Sequence, residues 1–238
     1  MLKNLAAHGY TLKNKTFEDT IKVKRTDVED DNYGIYGPLM TELGRAAGEH
    51  PDELIFSLLA AGFSTACYDG QFFFDTDHPV KNPDGTETSV SNFGGGAEAP
   101  WFLLDTGRAI KPLIFQQRIP YGFTQLSAET DENVFMRDEY LYGVRARVNA
   151  GFGLWQWAYA SKQPLTPDNY AAARQAMQEL KGDEGRPLGI KPDTLVVPPA
   201  LEKDALRLVN NALTVVSGAA VSNEWAGTAK PIVTAWLA

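Results

Sequence analysis

Cysteine is almost absent from this chain: Cys67 is the only one among 238 residues. An intrachain disulfide is therefore excluded. A lone thiol is typical of proteins of the reducing cytoplasm, where disulfides rarely persist. The first fifteen residues also contain no hydrophobic stretch followed by a cleavage site, as a secretory signal would require. These absences exclude a disulfide-stabilised secreted scaffold and indicate an intracellular protein.

Long apolar runs and excess positive charge are missing as well. The longest apolar run, residues 54–63, is about half of the roughly 20 residues that a membrane-spanning helix needs. Lysine and arginine number 22 against 30 acidic residues, which gives a formal net charge of −8. A protein dominated by phosphate contacts is expected to be basic. We therefore expect no membrane association and at most weak, non-specific contact with DNA.

The most prominent pattern that is present lies in residues 27–62. Four acidic residues between positions 27 and 31 precede apolar residues at helical spacing: Ile35, Leu39, Leu43, Ala46, Ala47, Leu54, Leu58 and Leu59. The spacing predicts a long helix over residues 33–62, here called the spine helix. Pro51 should bend or break it near residues 49–50, because an interior proline costs roughly 3 kcal/mol. We expect Leu39, Leu43, Leu54 and Leu58 to face an aromatic strand at residues 155–159.

Strand patterns occupy much of the remaining chain. Residues 10–26 alternate as a strand with no partner upstream, so this strand must pair later in the chain or with another subunit. Residues 63–100 predict a long loop with a small hairpin at Asn82–Gly85. Residues 101–161 predict long strands, with a break at 149–151 and a returning strand that carries Trp155, Trp157 and Tyr159. Residues 162–238 alternate helix and strand, with a helix start at Thr166–Asp168, and indicate a second lobe.

Candidate catalytic chemistry is sparse. Asp75, Asp77 and His78 could bind one divalent ion, although such residues in a loop more often make turn hydrogen bonds. Cys67, His78 and Asp69 could act as nucleophile, base and orienting group, but no local motif supports this arrangement. The triplet Gly94–Gly96 lacks the following lysine of a phosphate-binding loop. No constellation demands catalysis, and we expect no cofactor and no metal.

Several long motifs resemble the major head subunit (gpT) family of Mu-like prophages. They read NLAAHGYTLKNKTFEDTIKV, DVEDDNYGIYGPL, CYDGQFFFDTDHPV, FLLDTGRAIKPLIFQQR, ENVFMRDEYLYGVRARVNAGFGLWQWAYAS and GRPLGIKPDTLVVPPALE. The resemblance implies an α+β fold of the Hong Kong 97 capsid type, with a spine helix, a long-stranded peripheral domain, an axial domain, an extended loop and an N-terminal arm. It further implies hexamers and pentamers in an icosahedral shell around phage DNA. Family members carry several tens of residues before this chain's first residue, so we expect the N-terminal arm to be missing and residues 1–30 to be the returning strand of the extended loop.

These patterns lead to one favoured function and two rivals. We expect a non-enzymatic major capsid subunit, assembled in the bacterial host cytoplasm, located in the virion head and accompanied by scaffold and portal proteins. Residues 31–161 should form the peripheral domain, with spine helix 33–62, loop 63–100 and strands 101–161, and residues 162–238 the axial domain. The expected subunit-interface residues are Lys13, Lys15, Phe17, Ile21, Arg145 and Arg147. The rivals are a metal-dependent hydrolase using Asp75, Asp77 and His78, and a small adaptor of the head or tail.

Overall fold

A computed structural model describes residues 11–31, 34–82, 84–182, 185–216 and 219–238. Two compact units are present, and each combines segments that are distant in sequence. The long-strand unit consists of Leu12–Ile55 and Phe115–Gly151. The central-sheet unit contains Phe56–Ile114 and Phe152–Ala238. The grouping differs from the sequence-based division at residue 161, because residues 56–114 join the C-terminal residues in one core.

Three long strands form the sheet of the long-strand unit, in the order β1 (Lys15–Lys24), β7 (Glu139–Phe152), β6 (Leu113–Leu126). The short helices α1 (Arg25–Glu29) and α3 (Glu132–Arg137) connect to the strand ends. β1 pairs antiparallel with β7 along its whole length, from Lys15 opposite Val148 to Lys24 opposite Glu139. Of the two alternatives left open by the sequence, pairing later in the chain is therefore confirmed. A partner more than 110 positions downstream gives no local sequence signal.

The spine helix is confirmed as one helix, α2 (Tyr36–Ala61), of 26 residues. The expected start at residue 33 lies outside the described residues. Of the two outcomes expected at Pro51, a bend or a break, the break is wrong, since α2 continues through the proline. Leu43 is buried before the proline and Leu59 after it. Burying such side chains contributes about 1.5–3 kcal/mol each, enough to offset the helix penalty of one proline.

The expected packing of the spine helix onto the 155–159 segment is wrong for its first half. Leu39 is 44% exposed. Leu43 lines a cavity with Phe17 and Val144, which belong to the sheet of the long-strand unit. Leu58, by contrast, packs against the core of the central-sheet unit. The apolar stripe therefore has different partners along its length.

Replacing Pro51 by alanine should stabilise the subunit. Alanine would restore an N–H donor for the carbonyl of Ala47, while the unfolded chain would regain some freedom. We expect the free energy of unfolding to rise by about 1–2 kcal/mol, measured by denaturant titration. Pro38→Ala is the matched control, because Pro38 lies in the first helical turn, where the N–H groups have no intrahelical acceptor. An equal gain in both variants would contradict the explanation.

The central-sheet unit is built on five strands in the order β12 (Lys230–Val233), β9 (Thr194–Val197), β5 (Trp101–Leu104), β8 (Ala158–Lys162), β4 (Phe93–Gly96). β5 runs antiparallel to both of its neighbours, whereas the outer strands pair parallel with theirs. All four residues of β5 and of β9 are buried, so these strands form the centre of the core. The unit also contains α4 (Pro167–Glu179), α5 (Glu202–Val209) and the last residues of α2.

Local start and turn signals of this unit are confirmed. The hydroxyl of Thr166 accepts a hydrogen bond from the Asn169 amide at 3.3 Å, so it caps α4 as the sequence predicts. β2 (His78–Lys81) and β3 (Glu87–Val90) form the expected hairpin, although Pro83 of its turn lies outside the described residues. A second hairpin joins β10 (Leu213–Val216) and β11 (Ala219–Ser222). The expected loop 63–100 is thus only partly a loop, because it contains β2, β3 and β4.

The tryptophans of the 155–159 segment do not lie on a returning strand beside β7, as the sequence pattern suggested. β7 continues through residues 149–151, and Trp155–Trp157 forms a short 3-10 turn before β8. Gly153 permits this change of direction, since a Cβ atom there would lie 1.9 Å from the Lys111 carbonyl oxygen. Trp155 and Trp157 are consequently buried in the core of the central-sheet unit. Among the described residues, no helix is long and apolar enough to cross a membrane.

Candidate assembly surfaces and a buried polar cluster

The interface residues expected on and just before β1 differ in exposure. Lys13 and Lys15 are exposed, whereas Phe17 and Ile21 are half-buried. The Phe17 ring meets the ring of His50 on α2 edge to face, with centroids 4.3 Å apart. Phe17 therefore already packs within its own unit, and only its remaining surface is free to contact a neighbour.

Phe17 also lines a cavity of about 260 Å³ between α2 and the sheet. Its apolar walls come from Leu43, Ala46, Ala47, Val144 and Ala146, and its acidic groups from Asp19 and Glu53. Glu18 also borders it, but Glu18 lies opposite Arg145 in the pairing of β1 with β7, so its side chain lies on the other face of the sheet. The Nδ1 atom of His50 lies 2.5 Å from the Tyr121 hydroxyl. Burial and, secondarily, the charge of Glu53 raise the pKa of Tyr121. The combination of apolar walls and acidic groups suits an apolar side chain next to a cation.

Arginines occupy the opposite face of the same sheet. Arg145 and Arg147 alternate with the cavity-lining Val144 and Ala146, so they share one face, as predicted from the sequence. Arg118 of β6 is three positions from the cavity-lining Tyr121, which places it on that face too. None of the three arginine side chains forms an ion pair or hydrogen bond with the residues that the structure describes. This set, Arg118, Arg145 and Arg147, is called the arginine face.

An apolar patch lies where β6 leads into α3. Phe135 and Met136 are 81% and 70% exposed, and Phe123 and Leu126 of β6 are 58% and 41% exposed. Phe123 and Leu126 are three positions apart on β6 and therefore lie on opposite faces of the strand. We call the adjacent pair Phe135 and Met136 the tip patch. α3 ends at Asp138 with φ +56°, the only described non-glycine residue with a left-handed backbone. Sequence reasoning missed the tip patch, because a six-residue helix is too short to show an apolar periodicity.

The structure does not assemble the three residues of the hydrolase reading. The carboxylate of Asp75 accepts hydrogen bonds from the Phe72 and Thr76 amides at 3.2 and 2.7 Å. Asp77 is exposed, whereas His78 is completely buried and its Nδ1 lies 2.8 Å from Asp69 Oδ2. Asp75 thus makes turn hydrogen bonds, Asp77 faces solvent, and Asp69 is the carboxylate that contacts His78.

Cys67, Asp69 and His78 do come together. Asp69 lies between the other two, with Oδ1 accepting from Cys67 Sγ at 3.0 Å. The His78 ring stacks on Trp155 with centroids 3.9 Å apart. Burial, helped by the hydrogen bond to Asp69, raises the pKa of Cys67 to about 12, so the thiol is protonated at neutral pH. The thiol donates its hydrogen bond to a carboxylate and not to an imidazole that could take its proton. It is therefore a poor nucleophile, because the thiolate is the reactive form.

Acid should weaken this cluster. Burial alone would raise the pKa of Asp69, but the hydrogen bonds from His78 and Cys67 outweigh it and lower that pKa. A lowered folded-state pKa stabilises the fold above the unfolded-state pKa of about 3.9, and the contribution is lost as the pH falls through the folded-state pKa. We expect Asp69→Asn to reduce the loss of unfolding free energy between pH 5 and pH 3, measured by denaturant titrations. Asp77→Asn should leave that loss unchanged, and an unaltered pH slope in Asp69→Asn would refute the assignment.

Comparisons with known proteins agree with the fold. The family model of the Mu-like prophage major head subunit gpT matches residues 1–237. The chain is 48% identical to the Mu-like prophage FluMu major head subunit of Haemophilus influenzae, covering 94% of this chain and 75% of that protein. It is 45% identical to the major capsid protein of Escherichia phage Mu, covering 99% of this chain and 79% of that one. The subunit of the bacteriophage JBD30 procapsid is similar in structure, with a TM-score of 0.78 and 52% identity over 94% of this chain and 75% of that chain.

These relatives are structural capsid proteins, which confirms the expectation of a non-enzymatic subunit and leaves the hydrolase reading without support. The structural match confirms the Hong Kong 97-type capsid fold and its α+β class. The exposed, unpartnered surfaces of the long-strand unit suit a protein that functions next to copies of itself. The chain therefore belongs to the Mu-like prophage major head subunit gpT family and is a major capsid subunit of the phage head.

Proposed function

We propose that this subunit assembles as hexamers and pentamers into an icosahedral shell that encloses phage DNA. The observation that carries the proposal is the arginine face, whose three guanidinium groups have no partner among the described residues of a chain with net charge −8. Arginine pairs strongly with carboxylates, so an acidic surface of a neighbouring copy is a suitable partner. Closed symmetric shells repeat such a contact at every subunit.

The remaining expected interface residues extend this proposal. Lys13 and Lys15 are exposed and contribute further positive charge, while Phe17 and Ile21 keep part of their surface accessible. The acidic groups of the cavity on the other face, Asp19 and Glu53, are candidate acceptors on the next copy. Contacts of this kind are individually weak and become strong when repeated in a shell.

The domain roles follow from the family resemblance. The long-strand unit, with most of the spine helix and the 14-residue strands, fits the peripheral domain. The central-sheet unit fits the axial domain. Residues 11–30 fit the returning strand of the extended loop, now with β1 paired to β7, while residues 1–10 of that expected segment lie outside the described residues. Scaffold and portal proteins are the further expected partners, with assembly in the host cytoplasm.

Contact with packaged DNA is proposed to be weak and non-specific. A net charge of −8 opposes tight binding to phosphates, so DNA can be packed and released. Tight binding of the purified chain to duplex DNA that weakens steeply with added salt would argue against this part of the proposal.

The experiment that tests assembly is electron microscopy of the purified chain and of the double variant Arg145→Glu, Arg147→Glu. We expect shells, sheets or hexamers from the unsubstituted chain and only small species from the variant. The matched control is Arg145→Lys, Arg147→Lys, which keeps the charge and should assemble. Circular dichroism verifies that each variant is folded. Shells of normal yield from the glutamate variant would refute the role of the arginine face, whereas uniform monomers from the unsubstituted chain would refute unaided assembly.

A further inference from the structure

The buried cluster of Cys67, Asp69 and His78 contains the three kinds of ligand that zinc prefers. A tight turn holds the first two, since the Cys67 amide donates to the Gln71 carbonyl and the Gln71 amide donates to Asp69 Oδ1. Gly70, with φ +91°, allows that turn. His78 starts β2 eleven positions after Cys67 and enters the core beside Trp155. The turn and the strand thus bring a thiol, a carboxylate and an imidazole together at the core of the central-sheet unit.

The separation of the donor atoms suits a single ion. One ligand atom from each residue lies within 4.8 Å of the others. Zinc bonds are about 2.0–2.3 Å long, so donors around one ion lie roughly 3–4 Å apart. Moving from a hydrogen-bonded cluster to that geometry requires side-chain shifts of about 1 Å or less. Coordination is therefore compatible with the observed backbone.

The atoms that face one another identify the imidazole donor. His78 is fully buried, and its Nδ1 atom faces Asp69 Oδ2 at 2.8 Å, while Asp69 Oδ1 faces Cys67 Sγ at 3.0 Å. An ion placed among these three residues would therefore take Nδ1 as its imidazole ligand and Asp69 as its carboxylate ligand. The Nε2 atom, on the far side of the ring from Asp69, forms no hydrogen bond with any residue that the structure describes.

We propose that Cys67, Asp69 and His78 form a binding site for one zinc-like divalent cation with a structural role. The thiol and imidazole favour zinc over magnesium or calcium, which prefer oxygen ligands alone. The burial of His78 and of Cys67 argues for a structural ion, and a water molecule would complete the fourth position that three protein ligands leave. Metal binding releases the thiol proton to solvent and leaves a Cys67 thiolate–metal bond. The ion ties the 67–71 turn to the start of β2 in the central-sheet unit.

The decisive measurement uses the purified full-length chain. After chelator treatment and dialysis, it is titrated with Co²⁺ and separately with Zn²⁺, and bound metal is measured by mass spectrometry. We expect one equivalent per chain and a thiolate-to-cobalt charge-transfer absorption in the near ultraviolet. This absorption is measured on the unsubstituted protein, so the result does not depend on whether the variants fold.

Two variants distinguish the site from its surroundings. Cys67→Ser should abolish the charge-transfer absorption and weaken zinc binding about tenfold or more. Asp77→Asn, an exposed carboxylate one position from His78, should leave both unchanged. Absence of cobalt absorption and of retained zinc in the unsubstituted chain overturns the proposal, and the cluster is then a hydrogen-bonded triad only. The proposal is also overturned if Asp77→Asn loses the metal while Cys67→Ser keeps it. The ion would then be bound by the carboxylates of residues 75–78.

Discussion

Asn92→Ala should lower the free energy of unfolding by about 3–5 kcal/mol, one of the largest single effects expected in this chain. Asn92 is completely buried, and its Oδ1 accepts from the Asp75 amide at 2.9 Å. Its amide group donates to the carbonyls of Phe73, Trp155 and Ala158 at 2.8, 3.4 and 3.3 Å. Alanine would leave several of these backbone groups buried without partners and add a small cavity. Denaturant titration of the subunit measures the loss.

The matched control for that change is Asn211→Ala. Asn211 is exposed in the central-sheet unit, so its truncation should alter the free energy of unfolding by no more than about 0.5 kcal/mol. Asn92→Asp provides a second comparison, because it keeps the shape and the acceptor but replaces the donor. A loss below about 1 kcal/mol in Asn92→Ala would mean that water or local rearrangement satisfies the exposed carbonyls.

Phe135→Ser combined with Met136→Ser should abolish shell assembly while leaving the isolated subunit intact. Both side chains are mostly exposed, so their truncation removes little buried area within the subunit and should change its stability by about 0.5 kcal/mol or less. In a shell, the tip patch would be covered by a second copy, and each apolar side chain buried there contributes about 1.5–3 kcal/mol. Repetition over every subunit multiplies that loss. Electron microscopy and light scattering measure the yield of particles.

The control for the tip patch keeps its apolar character. Phe135→Leu with Met136→Leu should assemble at close to the normal yield, because the contact needs apolar surface more than a particular shape. Particles of normal yield from the serine variant would show that the tip patch stays exposed in the shell. Loss of assembly in both variants would indicate that Phe135 requires its ring geometry.

The candidate surfaces were only partly accessible to sequence reasoning. Arg145 and Arg147 could be assigned to one sheet face, because alternation along a strand fixes that relation without a partner. Arg118 could not be assigned to the same face from the sequence, because no local pattern indicates that β6 pairs with β7. The tip patch could not be predicted for a similar reason. Whether its side chains are exposed depends on which other parts of the chain fold over them. The pairing of His78 with Asp69 was weighed in the sequence but only folding established it.

What the sequence by itself determined is local in origin. The spine helix, the cap of α4 at Thr166 and the hairpin after β2 follow from helical spacing, capping chemistry and turn residues within a few positions of each other. Composition alone also established the lone thiol and the acidic charge.

Tertiary structure decided the features that depend on distant residues. The partner of β1, the continuity of α2 through Pro51 and the burial of Trp155 all depend on segments far apart in the chain. The physical reason is that a proline penalty or a strand period is a local preference of a few kcal/mol at most, whereas core burial sums over many residues and prevails where the two conflict.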